Sequence, residues 1–416
     1  MQRTACCVVG GGPAGMMLGL VLARAGVPVT VLEKHDDFLR DFRGDTVHAS
    51  TLTLLDELGL GERFAAMPHR VLERAQVPLQ SDEGLVVDLR VLPGPHKHIA
   101  MVPQWDFLDL LADTGREEPS FTLRMGVEVV DLLREDGRVV GVRYRNADGS
   151  GGELRAAVTV GCDGRASTVR AASGLRVREF GVPLDAWWFR LPRHEGDLEG
   201  LTGRVRDGAV LVAIDRGDYF QLAYVIRKGS DERLRAEGIE AFRRRIAAVI
   251  PELADRVGAV RSWDDVKLLT VRLDRMPRWY RPGLLCIGDA AHAMSPVGGV
   301  GINLAVQDAV AAARYLAAPL QRGEVHARDL ARVQARRWVP AVLTQSLQRL
   351  AHRFVIKPSL EGDGGRRAGG SPRLFRLLRR FGRLQAIPAY IVAIGVLPEH
   401  APSFARRSPA ARDAGS

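Results

Sequence analysis

A cluster of glycines near the amino terminus constrains this chain more than any other feature. From Thr4 to Lys34 it reads TACCVVGGGPAGMMLGLVLARAGVPVTVLEK, one strand, one tight turn, one helix and a second strand. Cys6 to Val9 are apolar without alternation, the pattern of a strand buried on both faces. Gly10, Gly12 and Gly15 follow at G-x-G-x-x-G spacing, with Ala14 among them. That spacing supplies a tight turn, a close approach of backbone to a pyrophosphate, and close packing of helix on strand. The helix carries Met17, Leu18, Val21 and Leu22 at helical spacing and stops at Gly26, after which Val27 to Leu32 form the second strand. Glu33 ends it, where the fingerprint places an acid for an adenosine ribose. An acid there disfavours a 2′-phosphate, so the nucleotide is NAD or FAD rather than NADP.

At 416 residues the chain can bury a large core and is expected to hold two lobes. A hydrophobic content of 46% and a charged content of 26% are ordinary for a globular protein. The net charge of +10 raises nucleic acid or anionic lipid as a partner, yet only Lys34, Lys97, Lys228, Lys267 and Lys357 are lysines among 59 basic residues. Arginines scattered along a whole chain describe a solvated surface and not a nucleic-acid patch. Cys6, Cys7, Cys162 and Cys286 sit in apolar segments with neither metal spacing nor a paired redox motif, which points to a reducing, cytoplasmic setting and to no metal centre. The start of the chain runs straight into a strand, and no apolar run is long enough to span a bilayer.

Beyond Glu33 the loop Arg43-Gly44-Asp45-Thr46-Val47-His48 is polar and is expected beside the nucleotide. Arg43 serves there either as a phosphate or ribose partner or as one half of a structural ion pair. Leu52, Leu55 and Leu58 predict a short helix capped by Ser50 or Thr51 and stopped at Gly59. Leu85 to Val91 reads as a strand of a second sheet, Pro103 to Leu111 opens another helix, and Thr122 to Val160 reads as strands joined by hairpin turns.

The next apolar strand ends in Gly161-Cys162-Asp163-Gly164-Arg165-Ala166-Ser167-Thr168-Val169-Arg170, and Leu284 to Ala305 reads LLCIGDAAHAMSPVGGVGINLA. In the latter, Asp289 falls at the carboxyl edge of a strand, where its carboxylate can accept from a polyol. Gly298, Gly299 and Gly301 let backbone N–H groups approach a planar or anionic ligand, and a helix from about Ile302 aims its positive end there. Together with the first glycine stretch, these motifs resemble the three signatures of the FAD-dependent aromatic hydroxylases, single-component flavoprotein monooxygenases that include para-hydroxybenzoate hydroxylase.

The resemblance spans nearly the whole chain. It implies FAD contacts from Gly10, Gly12, Ala14, Gly15, Glu33, Lys34, Arg43, Gln104, Val129, Asp289, Gly301, Ile302 and Asn303, with Pro296 near the isoalloxazine ring and His292 structural. It implies a Rossmann-type FAD-binding domain with an inserted mixed β-sheet substrate lobe and C-terminal helices. The FAD domain is assigned to 1–75, 98–180 and 276–325, the lobe to 76–97 and 181–275, a helical region to 326–400, and a disordered tail to 401–416.

The implied reaction hydroxylates an aromatic, phenolic or quinonoid ring, using NADPH or NADH and O2, through a flavin C4a-hydroperoxide. No second G-x-G-x-x-G follows a strand, so the reductant binds transiently at a composite surface. His48 is the candidate for activating the substrate or shuttling a proton, with a packed histidine as its alternative. Aromatics at Trp187, Trp188, Phe189, Tyr219, Phe220 and Tyr224 are candidates for lining the pocket, against plain sheet packing. Arginines interleaved with apolar residues within 373–396 suggest a helix resting weakly on anionic lipid or docking on the protein itself. Two rival readings share the signatures: a reductase like the prenyl-lipid saturases, and a flavin-binding scaffold without turnover.

Overall fold

The computed structural model describes residues 2–39, 46–77, 85–197, 199–206, 208–361 and 389–407. Strand β1 (Gln2–Val9) lies at the centre of a mixed eight-stranded sheet, parallel to β2 (Val29–Leu32) on one side and to strand Gly151–Gly161 on the other. Strand Phe121–Arg124 extends the parallel region beyond β2, and Leu284–Cys286 extends it beyond Gly151–Gly161. Because β1 has a neighbour reached through later chain on each side, its carboxyl end is a switch point of the topology, where open α/β sheets hold ligands. Helix α1 (Pro13–Arg24) and the long helix Gly301–Gln321 pack against one another. Cys6, Cys7 and Val8 below them are fully buried, as an unalternating apolar strand requires.

A five-stranded antiparallel sheet stands apart from the first, in the order Leu201–Arg206, Ala209–Asp215, Tyr219–Arg227, Leu184–Pro192, Lys267–Leu269. Period-2 alternation sends Trp187, Phe189, Phe220, Leu222 and Tyr224 to one face, where they pack around Phe242 and Ile246 of helix Ile239–Val249. The opposite face carries Trp188, Val212 and Ile214. Of the aromatics offered as pocket lining, Trp187, Phe189, Phe220 and Tyr224 are therefore core, because they point away from the glycine loops into the helix packing, and Tyr219 lies beneath the Arg190 guanidinium.

Three further expectations are corrected. Helix α2 (Ala49–Glu57) begins one turn early, with His48 as its N-cap residue, so Ser50 and Thr51 lie inside it and point inward. The strand at Leu85 stops at Asp88, whose carboxylate accepts the Arg90 N–H at 3.0 Å and turns Leu89–Val91 into a 3₁₀ turn; among the described residues it pairs with Arg74–Val77 in a two-stranded sheet. Residues 401–407, assigned to the disordered tail, are ordered, with Ala401 and Ala405 buried and the Arg24 guanidinium donating to the Ala405 carbonyl at 3.0 Å.

Residues 373–388 of the segment considered for lipid contact lie outside the described residues. Its remainder turns to the protein's own body: Ala389 and Ala393 are fully buried beside Ala49, Met101 and Ile214. Among the described residues no helix is long and apolar enough to cross a membrane. The four cysteines are free and buried, and burial pushes the Cys6 thiol up to about 12, so none is a ready nucleophile.

Candidate functional site

The turn after β1 leaves little room for any side chain but hydrogen. Gly10 has φ +102°, and a Cβ there would lie 2.6 Å from the Cys162 carbonyl oxygen. At Gly15 a Cβ would meet the Gly10 carbonyl oxygen at 1.9 Å, so the helix sits as close to the turn as backbone allows. Gly12 is different: nothing lies within 4 Å of where its Cβ would stand. It is the N-cap of α1, which has no side-chain cap and no acid in its first turn. Unpaired N–H groups facing open space suit a pyrophosphate. Glu33 is buried beside them, its two oxygens accepting the Gly11 N–H at 2.7 Å and the His35 N–H at 3.2 Å, which fixes the carboxylate at the rim.

The second stretch frames the opposite rim. Asp163 accepts the Val169 N–H at 3.0 Å and the Ser167 hydroxyl, capping helix Thr168–Ser173, and burial pushes its carboxyl up. Arg170 is fixed by Asp274 at 3.0 Å. Arg165, quoted in the motif but not singled out from sequence, reaches Asp289 at 3.3 Å, and both are partly open to solvent. Asp289 is thus oriented at the carboxyl edge with an oxygen left for a hydroxyl donor.

The third stretch closes the constellation. Gly288 brings Ala14 and Ala305 within 3.4 Å of a would-be Cβ, so the first and third motifs touch. The chain then turns at Pro296, whose carbonyl accepts the Gly299 N–H at 3.0 Å. Helix Gly301–Gln321 starts after this turn with no side-chain cap and no acid in its first turn. The N–H groups of Gly301, Ile302 and Asn303 therefore present a partial positive charge, the polarity a reduced, anionic flavin ring needs. The Asn303 side chain is occupied from α2, its Oδ1 accepting Ser50 Oγ at 3.1 Å and Thr51 Oγ1.

His48 is fully buried at the other side of this turn. Its Nδ1 lies 2.7 Å from the Val392 carbonyl, which can only accept, so Nδ1 carries the proton and Nε2 is a bare acceptor. Nε2 is buried without a partner, 3.6 Å from where a Gly299 Cβ would be. Burial lowers the pKa, against the Val392 and Gly299 carbonyls, so the ring is neutral. Beyond it lies the apolar cluster of Met101, Ile214, Ala389 and Ala393, against which Trp188 packs with its Nε1 also buried and unpartnered.

The remaining candidates are more dispersed. Lys34 is exposed past β2, Val129 is buried on strand Val127–Glu135, and Gln104 is half-buried at the start of helix Gln104–Arg116. Arg43 lies outside the described residues. Sequence reasoning missed the Val392 carbonyl and Asp308. The first is a backbone group 344 residues from its partner and left no signal. The second is an acid alone in an apolar helical run, and that incongruity could have found it.

A family model described as an FAD binding domain matches residues 3–346. The 6-methylpretetramide 4-monooxygenase of Streptomyces rimosus is 37% identical over 345 residues, covering 80% of each chain. A dialkyldecalin synthase of Streptomyces rugosporus is 27% identical, over 91% of this chain and 75% of its own. The solved structure of an anhydrotetracycline hydroxylase from Streptomyces rimosus superposes with a TM-score of 0.75 at 26% identity, covering 95% of this chain and 77% of the other. The glycine cradles fit FAD for the physical reasons above, and the chain belongs to the FAD-dependent aromatic monooxygenases, oxidoreductases that use NAD(P)H and O2.

Proposed function

We propose that the chain hydroxylates a fused-ring phenol of the aromatic polyketide kind, in the reducing interior of the cell. What carries this reading is the pairing of the two bare polar atoms, His48 Nε2 and Trp188 Nε1, with an otherwise apolar cluster on the face of the five-stranded sheet opposite helix Ile239–Val249. The 6-methylpretetramide relative supports the substrate class.

In this assignment 1–75, 98–180 and 276–325 hold FAD, while 76–97 and 181–275 cover the substrate. The N-terminus of α1 takes the pyrophosphate, Glu33 the adenosine ribose, Asp289 the ribityl chain, and the N–H groups of Gly301, Ile302 and Asn303 the pyrimidine edge, with Lys34, Gln104 and Val129 flanking and Pro296 shaping the ring's surroundings. FAD, when bound and reduced, supplies the activation of O2. The protein's residues do the rest. His48 Nε2 accepts a hydrogen bond from a ring hydroxyl, which orients the ring and enriches it in electrons. Trp188 Nε1 donates to a carbonyl at the other end. Met101, Ile214, Ala389 and Ala393 exclude water.

The test is turnover of the FAD-loaded protein with NADPH or NADH, labelled O2 and a panel of polycyclic phenols. One labelled oxygen atom per product is expected. An unlabelled, reduced product formed anaerobically would overturn hydroxylation in favour of a reductase like the prenyl-lipid saturases.

Gly299→Ala extends the test. The residue sits at φ +63°, and a Cβ would lie 2.8 Å from Thr46 Oγ1, which donates to the Gly299 carbonyl at 2.9 Å. A left-handed alanine costs about 1–2 kcal/mol before that collision is counted. The variant is expected to keep FAD but divert a larger share of NAD(P)H oxidation to hydrogen peroxide, read as the ratio of peroxide to product. An unchanged ratio would show that the turn does not shape the reacting cavity.

A further inference from the structure

A cavity of about 600 Å³ opens between the entry to the five-stranded sheet and the helices that follow the third motif. One wall is the chain at Gly181–Pro183, where it enters the five-stranded sheet; the other is the end of helix Ala327–Ala351 and the turn that follows. That turn, His352–Ile356, is a π-helix, a local widening frequent at functional sites.

The lining combines an apolar floor with cations. Val182, Pro183 and Leu350 supply the floor, while Arg349, Arg353 and Lys357 reach in from the helical wall. Arg349 lies 4.8 Å from the Phe180 ring, which Arg178 and Arg275 each approach to 5.3 Å, so three guanidiniums crowd one aromatic. The crowding is felt: burial and the charges of Arg178 and Arg349 push the Arg275 pKa down. Among these cations Lys357 has a carboxylate nearby, the exposed Glu361 at 3.8 Å. The π-turn also buries His352, which lines the cavity; its Nε2 lies 2.8 Å from Ser295 Oγ, while Nδ1 has no partner. Ser295 directly precedes Pro296, so the cavity is joined to the loop that flanks the flavin position.

We propose that this cavity binds the adenosine-phosphate half of the nicotinamide dinucleotide reductant. Apolar floor and cationic wall together fit an adenosine carrying phosphates better than a bare ion. The chain has no second glycine fingerprint to hold that dinucleotide elsewhere. The inference rests on the monooxygenase reading for the identity of the ligand, and the two fail separately: labelled oxygen in the product reports the reaction, binding reports this site.

The experiment titrates FAD-loaded protein with adenosine 2′,5′-bisphosphate by calorimetry. Binding is expected, with Kd raised about tenfold or more in Arg353→Ala and partly restored in Arg353→Lys, since charge-assisted contacts are the strong ones. The KM for NADPH in flavin reduction should rise by the same factor while the limiting rate holds. Equal affinity in the wild type and in an Arg349→Ala/Arg353→Ala double variant would overturn the proposal, as would inorganic phosphate binding as tightly as the bisphosphate. Flotation with phosphatidylglycerol vesicles that the double variant loses, without any bisphosphate binding, would assign the cavity to a lipid headgroup and overturn it equally.

Discussion

Protein carrying Gly15→Ala is expected to be recovered, if soluble at all, without FAD. The added Cβ would sit 1.9 Å from the Gly10 carbonyl oxygen and 3.2 Å from Val8 Cγ1. The first of these is backbone, so the collision cannot be relieved by a rotamer; α1 must move off β1, and the cradle opens. Over-packing costs about 1–3 kcal/mol where side chains yield, and more where backbone must shift. Gly12→Ala separates folding from binding. Its Cβ meets nothing within 4 Å, and Gly12 has φ −74°, which alanine adopts without strain. This variant is expected to melt like the wild type without ligand, yet to bind FAD about ten- to a hundredfold more weakly, because the methyl occupies the space a pyrophosphate needs. Spectroscopic titration of the apoproteins with FAD checks both. Undiminished affinity in Gly12→Ala would place the phosphates elsewhere.

The glycines also show why the turn after β1 was legible in the sequence. Gly15 and Gly10 each carry a requirement that only glycine meets, a backbone collision at one and a positive φ at the other, and the spacing between them reproduces the turn. The strand–helix–strand of residues 2–32 follows for the same reason: an unalternating apolar strand, a helical stripe and a glycine stop are local patterns. The five-stranded sheet was readable as strands, and period-2 alternation does divide Trp187 from Trp188. What the sequence withheld was which face would meet the helix, because that depends on where Ile239–Val249 packs.

The proposed substrate end was harder for a related reason. His48 could be picked for its chemistry, but its tautomer is set by the Val392 carbonyl, and its role at the start of α2 by Ser50 and Thr51 turning inward to Asn303. Both depend on chain brought back from hundreds of residues away. Cation clusters suffer likewise: Arg178, Arg275 and Arg349 are unremarkable among the arginines of this chain until the fold gathers them on Phe180.

Asp308 is the residue whose loss should cost most stability away from the ligand. It is 1% exposed on helix Gly301–Gln321, and its Oδ2 accepts His292 Nε2 at 2.6 Å and the Gly288 N–H at 3.0 Å. Its Oδ1 accepts Arg337 Nε at 2.9 Å, and Arg337 is as deeply buried. Asp308→Ala takes the nearer carboxylate from the buried Arg337 guanidinium, leaving it Glu399 at 3.8 Å and the Leu397 carbonyl at 3.3 Å, and removing one partner of a buried pair costs about 3–5 kcal/mol. It also frees the turn at Gly288, next to Asp289, so FAD retention should fall with stability. Asp308→Leu combined with Arg337→Met should be markedly less destabilised than Asp308→Ala, because no charge is left unpaired. The acid limb carries a second signature. Burial alone would raise the Asp308 carboxyl, but His292 and Arg337 outweigh it and hold it below the usual carboxylate range. The unfolded chain therefore takes up this proton at higher pH than the folded one. The contribution is complete above about pH 4, the ordinary carboxylate value, and is lost as pH falls through the lower folded value. Denaturant midpoints measured down the acid range should show that loss in the wild type and not in Asp308→Asn; identical acid limbs in the two would mean that the Asp308 charge does not hold the helix to the glycine turn.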